Sequence, residues 1–279
     1  MNTLTTALEW AKQQIGVLSD SAALDAEVLL AHCIGKSRSY LYTWPEQALS
    51  DRHWEAYQLL VVQRLIPTPI AYLLGEREFF SLDFKTTAAA LIPRSDTELL
   101  VEAALQRCPK DSDFKILELG TGTGAIAITL KVHRPASTIF ATDISPQCLV
   151  LAAQNAVRHQ ADISWTLSDW FCAIEPSKRY DMIVSNPPYI AEHDAYLTEG
   201  DLPAEPLLAL SSGPTGLESL QQIVTDTPNY LKPGGYLLLE HGYDQEIAVF
   251  GLLKSRGFYN ISCQYDINNL PRISIGQFI

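Results

Sequence analysis

The segment that most constrains this chain is residues 115–131. An apolar run, Ile116-Leu117-Glu118-Leu119, feeds straight into Gly120-Thr121-Gly122-Thr123-Gly124, and an apolar segment with helical character follows at once. Glycines at alternate positions allow a sharp turn and let the backbone approach a ligand closely. A glycine-rich turn from strand to helix is the opening of a doubly wound α/β unit, in which ligands sit at the carboxyl ends of the strands. The rest of the chain fits this opening. Strands are predicted over 138–142, 163–167, 181–185 and 236–240. Helices are predicted from 125 to 131, through Leu149, Ala153 and Val157, and over 216–230. Alternation of this kind predicts a mostly parallel sheet. The last two predicted strands, 260–266 and 272–278, have only a short turn between them and must pair antiparallel.

The first 75 residues have a different texture. Leu4, Leu8, Ala11 and Ile15 recur at helical spacing. Ser21 is placed to cap a helix over 22–33 that carries Leu29 and Leu30. Asp51 is placed to open another through Trp54, Leu59, Val62 and Leu65, ended by Pro67 and Pro69. Residues 1–75 are therefore read as a small helical bundle. Phe79, Phe80, Leu82 and Phe84 suggest a hairpin within 76–90 that bridges to a second domain over 91–279.

The totals exclude several classes. No apolar run approaches the ~20 residues of a membrane span, and the N-terminus, with Glu9 and Lys12, does not resemble a secretory signal. The five cysteines are scattered, odd in number and without a Cys-x-x-Cys pair. That argues against a disulfide framework or a zinc site and for a reduced, cytoplasmic protein with no metal. The net charge of −12 is a poor default for an enzyme that coats nucleic acid, where Lys and Arg must neutralise phosphates.

The glycine loop indicates the ligand. Dinucleotide sites usually read G-x-G-x-x-G and receive a pyrophosphate. Here the spacing is G-x-G-x-G, and acidic Glu118 stands beside it. A carboxylate there disfavours phosphate and suits a cationic ligand such as S-adenosylmethionine, which carries an ammonium and a sulfonium. The expected cofactor contacts are Glu118, Gly120, Thr121, Gly122, Thr123 and Gly124. Asp143, at the end of the second strand, can accept ribose hydroxyls, although a helix-capping role before Pro146 is the plainer alternative. Asp169 and Trp170, ending the third strand, are placed to meet the adenine edge and face; a packed surface aromatic is nearly as good a reading of Trp170.

The fourth strand ends in Asn186-Pro187-Pro188-Tyr189. Two prolines cannot continue a central strand, because neither donates a ladder hydrogen bond. They stiffen a loop facing the glycine turn. A planar nitrogen attacks poorly because its lone pair is delocalised. The Asn186 side-chain oxygen and the Pro187 carbonyl can each accept one N–H, aligning such a nitrogen and supporting positive charge on it. Tyr189 offers a flat face for a planar amide or base. Asn186, Pro187 and Tyr189 are thus the candidate catalytic residues, and Asn186, Pro187, Pro188 and Tyr189 the candidate substrate contacts. The chemistry read from the two motifs is methylation of a planar amide or amino nitrogen, leaving S-adenosylhomocysteine.

With both motifs in view, nearly the whole chain resembles the bacterial peptide chain release factor glutamine methyltransferases. The resemblance runs through residues 70–79 (Ile-Ala-Tyr-Leu-Leu-Gly-Glu-Arg-Glu-Phe), Leu91-Ile92-Pro93-Arg94, the glycine loop, Asp143-Ile144-Ser145-Pro146, Asp169-Trp170-Phe171, residues 185–190, Leu231-Lys232-Pro233-Gly234-Gly235 and residues 240–245. It implies a class I, Rossmann-like methyltransferase domain with a seven-stranded sheet, mostly parallel with an antiparallel C-terminal strand, preceded by a helical bundle. It implies that Gly120, Gly122, Gly124, Asp143, Trp170 and Asn186 bind the cofactor. It implies that Asn186 to Tyr189 bind the glutamine of the Gly-Gly-Gln motif of class I release factors, and that residues 1–75 grip the factor. A monomer is expected. Two stretches depart from the family. Where it commonly reads Arg-Pro-Glu-Thr-Glu, this chain has Arg94-Ser95-Asp96-Thr97-Glu98, in which Thr97 and Glu98 are also well placed to start a helix. Its Arg before Glu-Pro is replaced by Ala204, ahead of Glu205-Pro206.

Three rivals stand beside this reading. The first is a ribosomal protein glutamine methyltransferase, identical in chemistry. The second is an adenine N6-methyltransferase, which needs a basic groove or recognition domain not evident here. The third is an inactive cofactor-binding scaffold, whose expected mark, a damaged motif, is missing.

Overall fold

A computed structural model describes residues 2–17, 19 and 21–279. The chain divides into two compact units, one of residues 1–76 with 198–204, the other of residues 77–197 with 205–279.

The first unit is helical. Helix α1 (Leu4–Ile15) begins with a capping box between Thr3 and Thr6 and buries Leu4, Ala7, Ala11 and Ile15. Helix α2 (Ala22–Ile34) ends on Gly35, whose φ of +62° is the left-handed C-terminal stop that glycine favours. The Ser21 hydroxyl does not cap it; it donates to Asp25 instead. A short helix α3 (Arg38–Thr43) leads to α4 (Asp51–Arg64) and α5 (Ile70–Leu74). Asp51 opens α4 as expected, and the cap before it is Ser50, whose Oγ accepts from the His53 amide. Of the apolar residues through which α4 was read, Trp54 packs partly buried against the bundle core. Leu59 and Val62 are exposed, and the helix buries Tyr57, Val61 and Arg64. Polar partners decide this rotation. Tyr57 donates to the Ala26 carbonyl, while Arg64 pairs with Asp25 at 3.0 Å and Asp201 at 2.6 Å. A buried guanidinium is tolerated only when paired in this way.

A hairpin follows, β1 (Glu76–Phe79) and β2 (Leu82–Lys85), which but for Glu76 belongs to the second unit, then helix α6 (Thr97–Arg107). Next come β3 (Lys115–Leu119), α7 (Ala125–His133), β4 (Thr138–Asp143), α8 (Pro146–Arg158), β5 (Ser164–Leu167) and β6 (Tyr180–Ser185). A short helix α9 (Leu207–Leu210) and α10 (Glu218–Asp226) precede β7 (Leu231–Glu240), α11 (Glu246–Ser255), β8 (Phe258–Tyr265) and β9 (Pro271–Phe278). Pro228 sits in a 3-10 turn that follows α10, so the helix predicted over 216–230 is shorter than expected. The sheet has seven strands in the order β5-β4-β3-β6-β7-β9-β8; β9 runs antiparallel to both neighbours and the other pairings are parallel. The doubly wound sheet with its antiparallel C-terminal strand is thus as expected.

Apolar layers cover both faces. Leu100, Val101, Ile126, Ile128 and Leu130 pack on one side, and Leu220, Ile223, Val249 and Leu253 on the other. Helix α8 has the predicted position but a different buried face: Cys148, Leu151, Ala152, Asn155 and Ala156, with Val157 exposed. Asn155 is inside because it is fully used. It exchanges hydrogen bonds with the Lys85 backbone and donates to the Thr123 carbonyl, tying the hairpin to the glycine loop.

Candidate active site

Strand register creates the site. Leu119 lies level with Ser185 on one side and Thr142 on the other. The glycine loop, the tetrad and Asp143 therefore leave the sheet side by side at its carboxyl edge. The Ser185 hydroxyl donates to the Leu119 carbonyl at 2.7 Å, fastening the tetrad strand to the loop strand. The amides of Gly120 and Thr121 both donate to the Thr142 carbonyl.

A cavity of about 450 Å³ opens there, within the range of about 300–1,000 Å³ typical of small-molecule sites. Of the expected cofactor residues, Glu118, Gly120, Thr121, Gly122, Thr123, Asp143, Asp169, Trp170 and Asn186 line it. Gly124 does not. Its φ of +83° starts α7, and a Cβ there would lie 2.8 Å from Ile128 Cδ1 and 3.1 Å from Ala152 Cβ. Its glycine is required by the close approach of α7 and α8. Among the tetrad, Asn186 and Pro188 line the cavity; Pro187 is buried and is not among the lining residues. Tyr189 is not among the lining residues either. Its carbonyl accepts from Gln245, its hydroxyl faces Glu240 Oε1 at 3.5 Å, and burial followed by the Glu240 charge raises its pKa.

The acids have distinct environments. Glu118 is 1% exposed. Its Oε2 accepts from Thr121 Oγ1 at 2.6 Å and from the Ala127 amide at 3.1 Å, while Oε1 is buried without a hydrogen-bond partner. Burial pushes its pKa up to about 8, against the two hydrogen bonds. A buried acceptor left open on a cavity wall suits a donor supplied by a ligand. Asp143 accepts from the Gly122 amide at 2.8 Å and the Ser145 amide at 2.9 Å. It is not the cap of α8, which is Ser145. Burial raises its pKa, with those amides opposing. Trp170 is held at φ +45°, a left-handed backbone that costs a non-glycine residue of order 1–3 kcal/mol. Ser168 pins that turn by donating to the Trp170 carbonyl and accepting from the Ala173 amide. Its ring comes within 3.5 Å of where a Gly120 Cβ would stand, so the glycine leaves the indole face open towards the loop.

Three residues that the sequence did not place in the site belong to it. Thr97, first residue of α6, accepts from Asn186 Nδ2 at 3.0 Å. Arg94 lines the cavity and is ion-paired with buried Glu205, which also accepts from the Ile92 amide. The retained Glu-Pro pair, despite the neighbouring Ala204, was the available signal for Glu205. Arg94 is the one Lys or Arg among the cavity-lining residues, against three acids, Glu118, Asp143 and Asp169. The wall is mostly apolar, and its acids suit a positively charged group on the ligand better than a phosphate. A nucleoside carrying an ammonium and a sulfonium fits this donor set.

Comparison with known proteins agrees. Residues 6–75 match a family described as the PrmC N-terminal domain, and residues 95–201 one described as the methyltransferase small domain. A release factor glutamine methyltransferase of Shewanella oneidensis is 44% identical over 99% of this chain and 96% of its own length. Its counterpart in Vibrio cholerae is 42% identical over 99% of this chain and 97% of its own length. Among solved structures, the Thermus thermophilus 16S rRNA N2 G1207 methyltransferase in complex with AdoMet and guanosine superposes with a TM-score of 0.53 at 18% identity. That match covers 73% of this chain and 50% of the other, a likeness of fold. The identity along essentially the full length of both relatives is decisive: the chain belongs to the release factor glutamine methyltransferase family.

Proposed function

We infer that this enzyme binds S-adenosylmethionine in the cavity and methylates the side-chain amide N5 of the glutamine in the Gly-Gly-Gln motif of class I release factors. The observation that carries the reading is the pairing, on adjacent strand ends, of an acid-lined nucleoside cavity with Asn186, whose Nδ2 is already committed to Thr97. With that end held, Oδ1 is the end offered to an N–H donor.

The residues divide the work. Asp143 holds the ribose hydroxyls and, through the Gly122 amide, the shape of the loop. Trp170 and Asp169 flank the base. Glu118 Oε1 receives the ammonium, which supplies the partner this buried oxygen lacks. When bound, the cofactor supplies an electrophilic methyl group on its sulfonium. Asn186 Oδ1 and the Pro187 carbonyl accept the two amide N–H groups of the glutamine. This fixes the nitrogen in line and supports the positive charge it gains. The prolines limit how far those acceptors can move. Tyr189 braces them. Residues 1–75 serve as the recognition domain for the factor, joined by the 76–90 hairpin to the catalytic domain over 91–279. The enzyme acts in the cytoplasm as a monomer and without contacting nucleic acid.

Among the described residues no helix is long and apolar enough to cross a membrane. The test is transfer of a labelled methyl group to three acceptors offered separately: an unmethylated class I release factor, ribosomal protein and duplex DNA. Label on the release factor alone supports the reading. Label on ribosomal protein or DNA instead would replace it with one of its rivals.

A further inference from the structure

The tetrad can align a nitrogen only if its acceptors keep still. Asn186 and Pro187 each precede a proline, which confines both to extended backbone, and the ring of Pro188 fixes a further φ. Residues 186–188 therefore form a stiff rod whose ends decide where its carbonyls point. The upstream end continues β6, where the Ser185 hydroxyl donates to the Leu119 carbonyl at 2.7 Å. The downstream end is the peptide unit joining Tyr189 to Ile190. Its N–H donates to the Leu210 carbonyl at 3.0 Å. One such bond leaves the unit free to tilt about it. A second bond is made by Gln245, which stands just before α11 and whose Nε2 donates to the Tyr189 carbonyl at 2.9 Å. Both sides of that peptide unit are then held.

Each end of the Gln245 amide is engaged. Nε2 carries two protons, and besides Tyr189 it reaches the Gly216 carbonyl at 3.3 Å, while Oε1 accepts from the Gly242 amide at 2.9 Å. An N–H on one side and two carbonyls on the other fix which end is which. Turned over, the amide would set its oxygen against two carbonyl oxygens. Gly216 packs against the same group: at φ +76°, a Cβ there would stand 2.5 Å from the Tyr189 oxygen. One side chain thus ties the exit of the tetrad to the loop after β7 and to the loop before α10. We propose that Gln245 is a positioning residue for methyl transfer: by holding the Tyr189 carbonyl it fixes the rod, and with it the Asn186 and Pro187 acceptors. This rests on the reading of those two groups as acceptors for the target N–H bonds. Gln245 does not line the cavity, so its loss should act on turnover and spare cofactor binding.

The experiment compares wild type with Gln245→Glu and Gln245→Met in the full chain at pH 8, by kinetics, by calorimetry with the cofactor and by the NMR signal of the Ile190 amide, which belongs to the clamped peptide unit. Thermal unfolding checks that each variant is folded at the assay temperature. Glutamate keeps the shape and the acceptor for Gly242, but it is ionised at this pH and sets a negative oxygen against the two carbonyls. Methionine has a similar length and makes neither bond. A clamp on Tyr189 makes glutamate the worse. It predicts kcat lowered about 10–100-fold in Gln245→Glu and about 3–10-fold in Gln245→Met, with KM for the factor and cofactor affinity within about twofold of wild type. The Ile190 signal should move in both, further with glutamate. A side chain that only fills space, or only holds Gly242, predicts methionine to be the worse, and that order would overturn the proposal. So would wild-type kcat in both variants, or kcat lost with the Ile190 signal unmoved. If the glutamate variant does not fold, wild-type kcat or an unmoved Ile190 signal in Gln245→Met overturns it alone. An Ile190 signal that moves as stated in an enzyme that methylates no glutamine would uphold the clamp and remove the assigned reaction.

Discussion

Replacing Glu118 with glutamine should make the protein more stable at alkaline pH while weakening its hold on the cofactor. The reason lies in where the carboxyl sits. It is 1% exposed, with one oxygen bonded to Thr121 and the Ala127 amide and the other without a partner. Burial lifts its pKa from 4.5 to about 8. Because the folded value is the higher one, the folded state retains a proton that the unfolded chain releases. The stability this group contributes is full below about pH 4.5 and is lost as pH rises through 8. At about 1.4 kcal/mol per pH unit, a gap of this size amounts to a few kcal/mol at pH 9. Glutamine has no charge to bury and can keep its oxygen on Thr121 and Ala127. Its NH2 then occupies the unpartnered position, at a cost of about 1–3 kcal/mol. The balance predicts a variant about 1–3 kcal/mol more stable than wild type at pH 9 and no more stable than wild type at pH 6. Urea unfolding at the two pH values, followed by circular dichroism, measures it. Calorimetry should show cofactor affinity reduced about tenfold or more, the loss of one charge-assisted hydrogen bond. An equal stability difference at both pH values would refute the electrostatic reasoning.

Three further substitutions probe the site. Asn186→Ala should lower turnover by about 100-fold or more while most cofactor binding, read by calorimetry, survives; wild-type turnover would remove Asn186 from the mechanism. Asp143→Ala deletes the acceptor for the Gly122 and Ser145 amides as well as for the ribose. It should weaken cofactor binding about 10–100-fold, and unchanged affinity would refute the ribose role. Gly124→Ala forces a Cβ to within 2.8 Å of Ile128 at positive φ. It should destabilise the fold by about 1–3 kcal/mol in thermal or urea unfolding; a neutral effect would mean that α7 and α8 can separate at no cost.

Much of the sheet was legible because buried parallel strands carry continuous apolar runs, as Met182-Ile183-Val184 and Leu237-Leu238-Leu239 do. The glycine turn and the proline pair were legible because few residue types permit those backbones. Helix faces were read less well wherever polar residues are buried. On α8 the inward Asn155 carries three backbone hydrogen bonds, and a search for apolar spacing passes over it. On α4, Tyr57 and Arg64 take the inside through their partners and leave Leu59 and Val62 exposed. Helix α11 buries only Val249 and Leu253, too few positions to mark a period. Of the site, the residues next to the two motifs were visible. Thr97 and Glu205 come from 89 and 19 residues away along the chain from Asn186, and only the fold brings Thr97 to Asn186 and Glu205 to the cavity residue Arg94. The retained Thr97-Glu98 and Glu205-Pro206 pairs, amid the departures around them, were the hint for these two.

The most direct test of the whole account locates the methyl group. Purified enzyme, S-adenosylmethionine and an unmethylated class I release factor are incubated, and the factor is digested and sequenced by peptide mass spectrometry. One added methyl on the glutamine of Gly-Gly-Gln, lost when that glutamine is replaced, is the predicted result. An enzyme that binds the cofactor yet leaves this glutamine unmodified would contradict the account and send the search to the ribosomal protein.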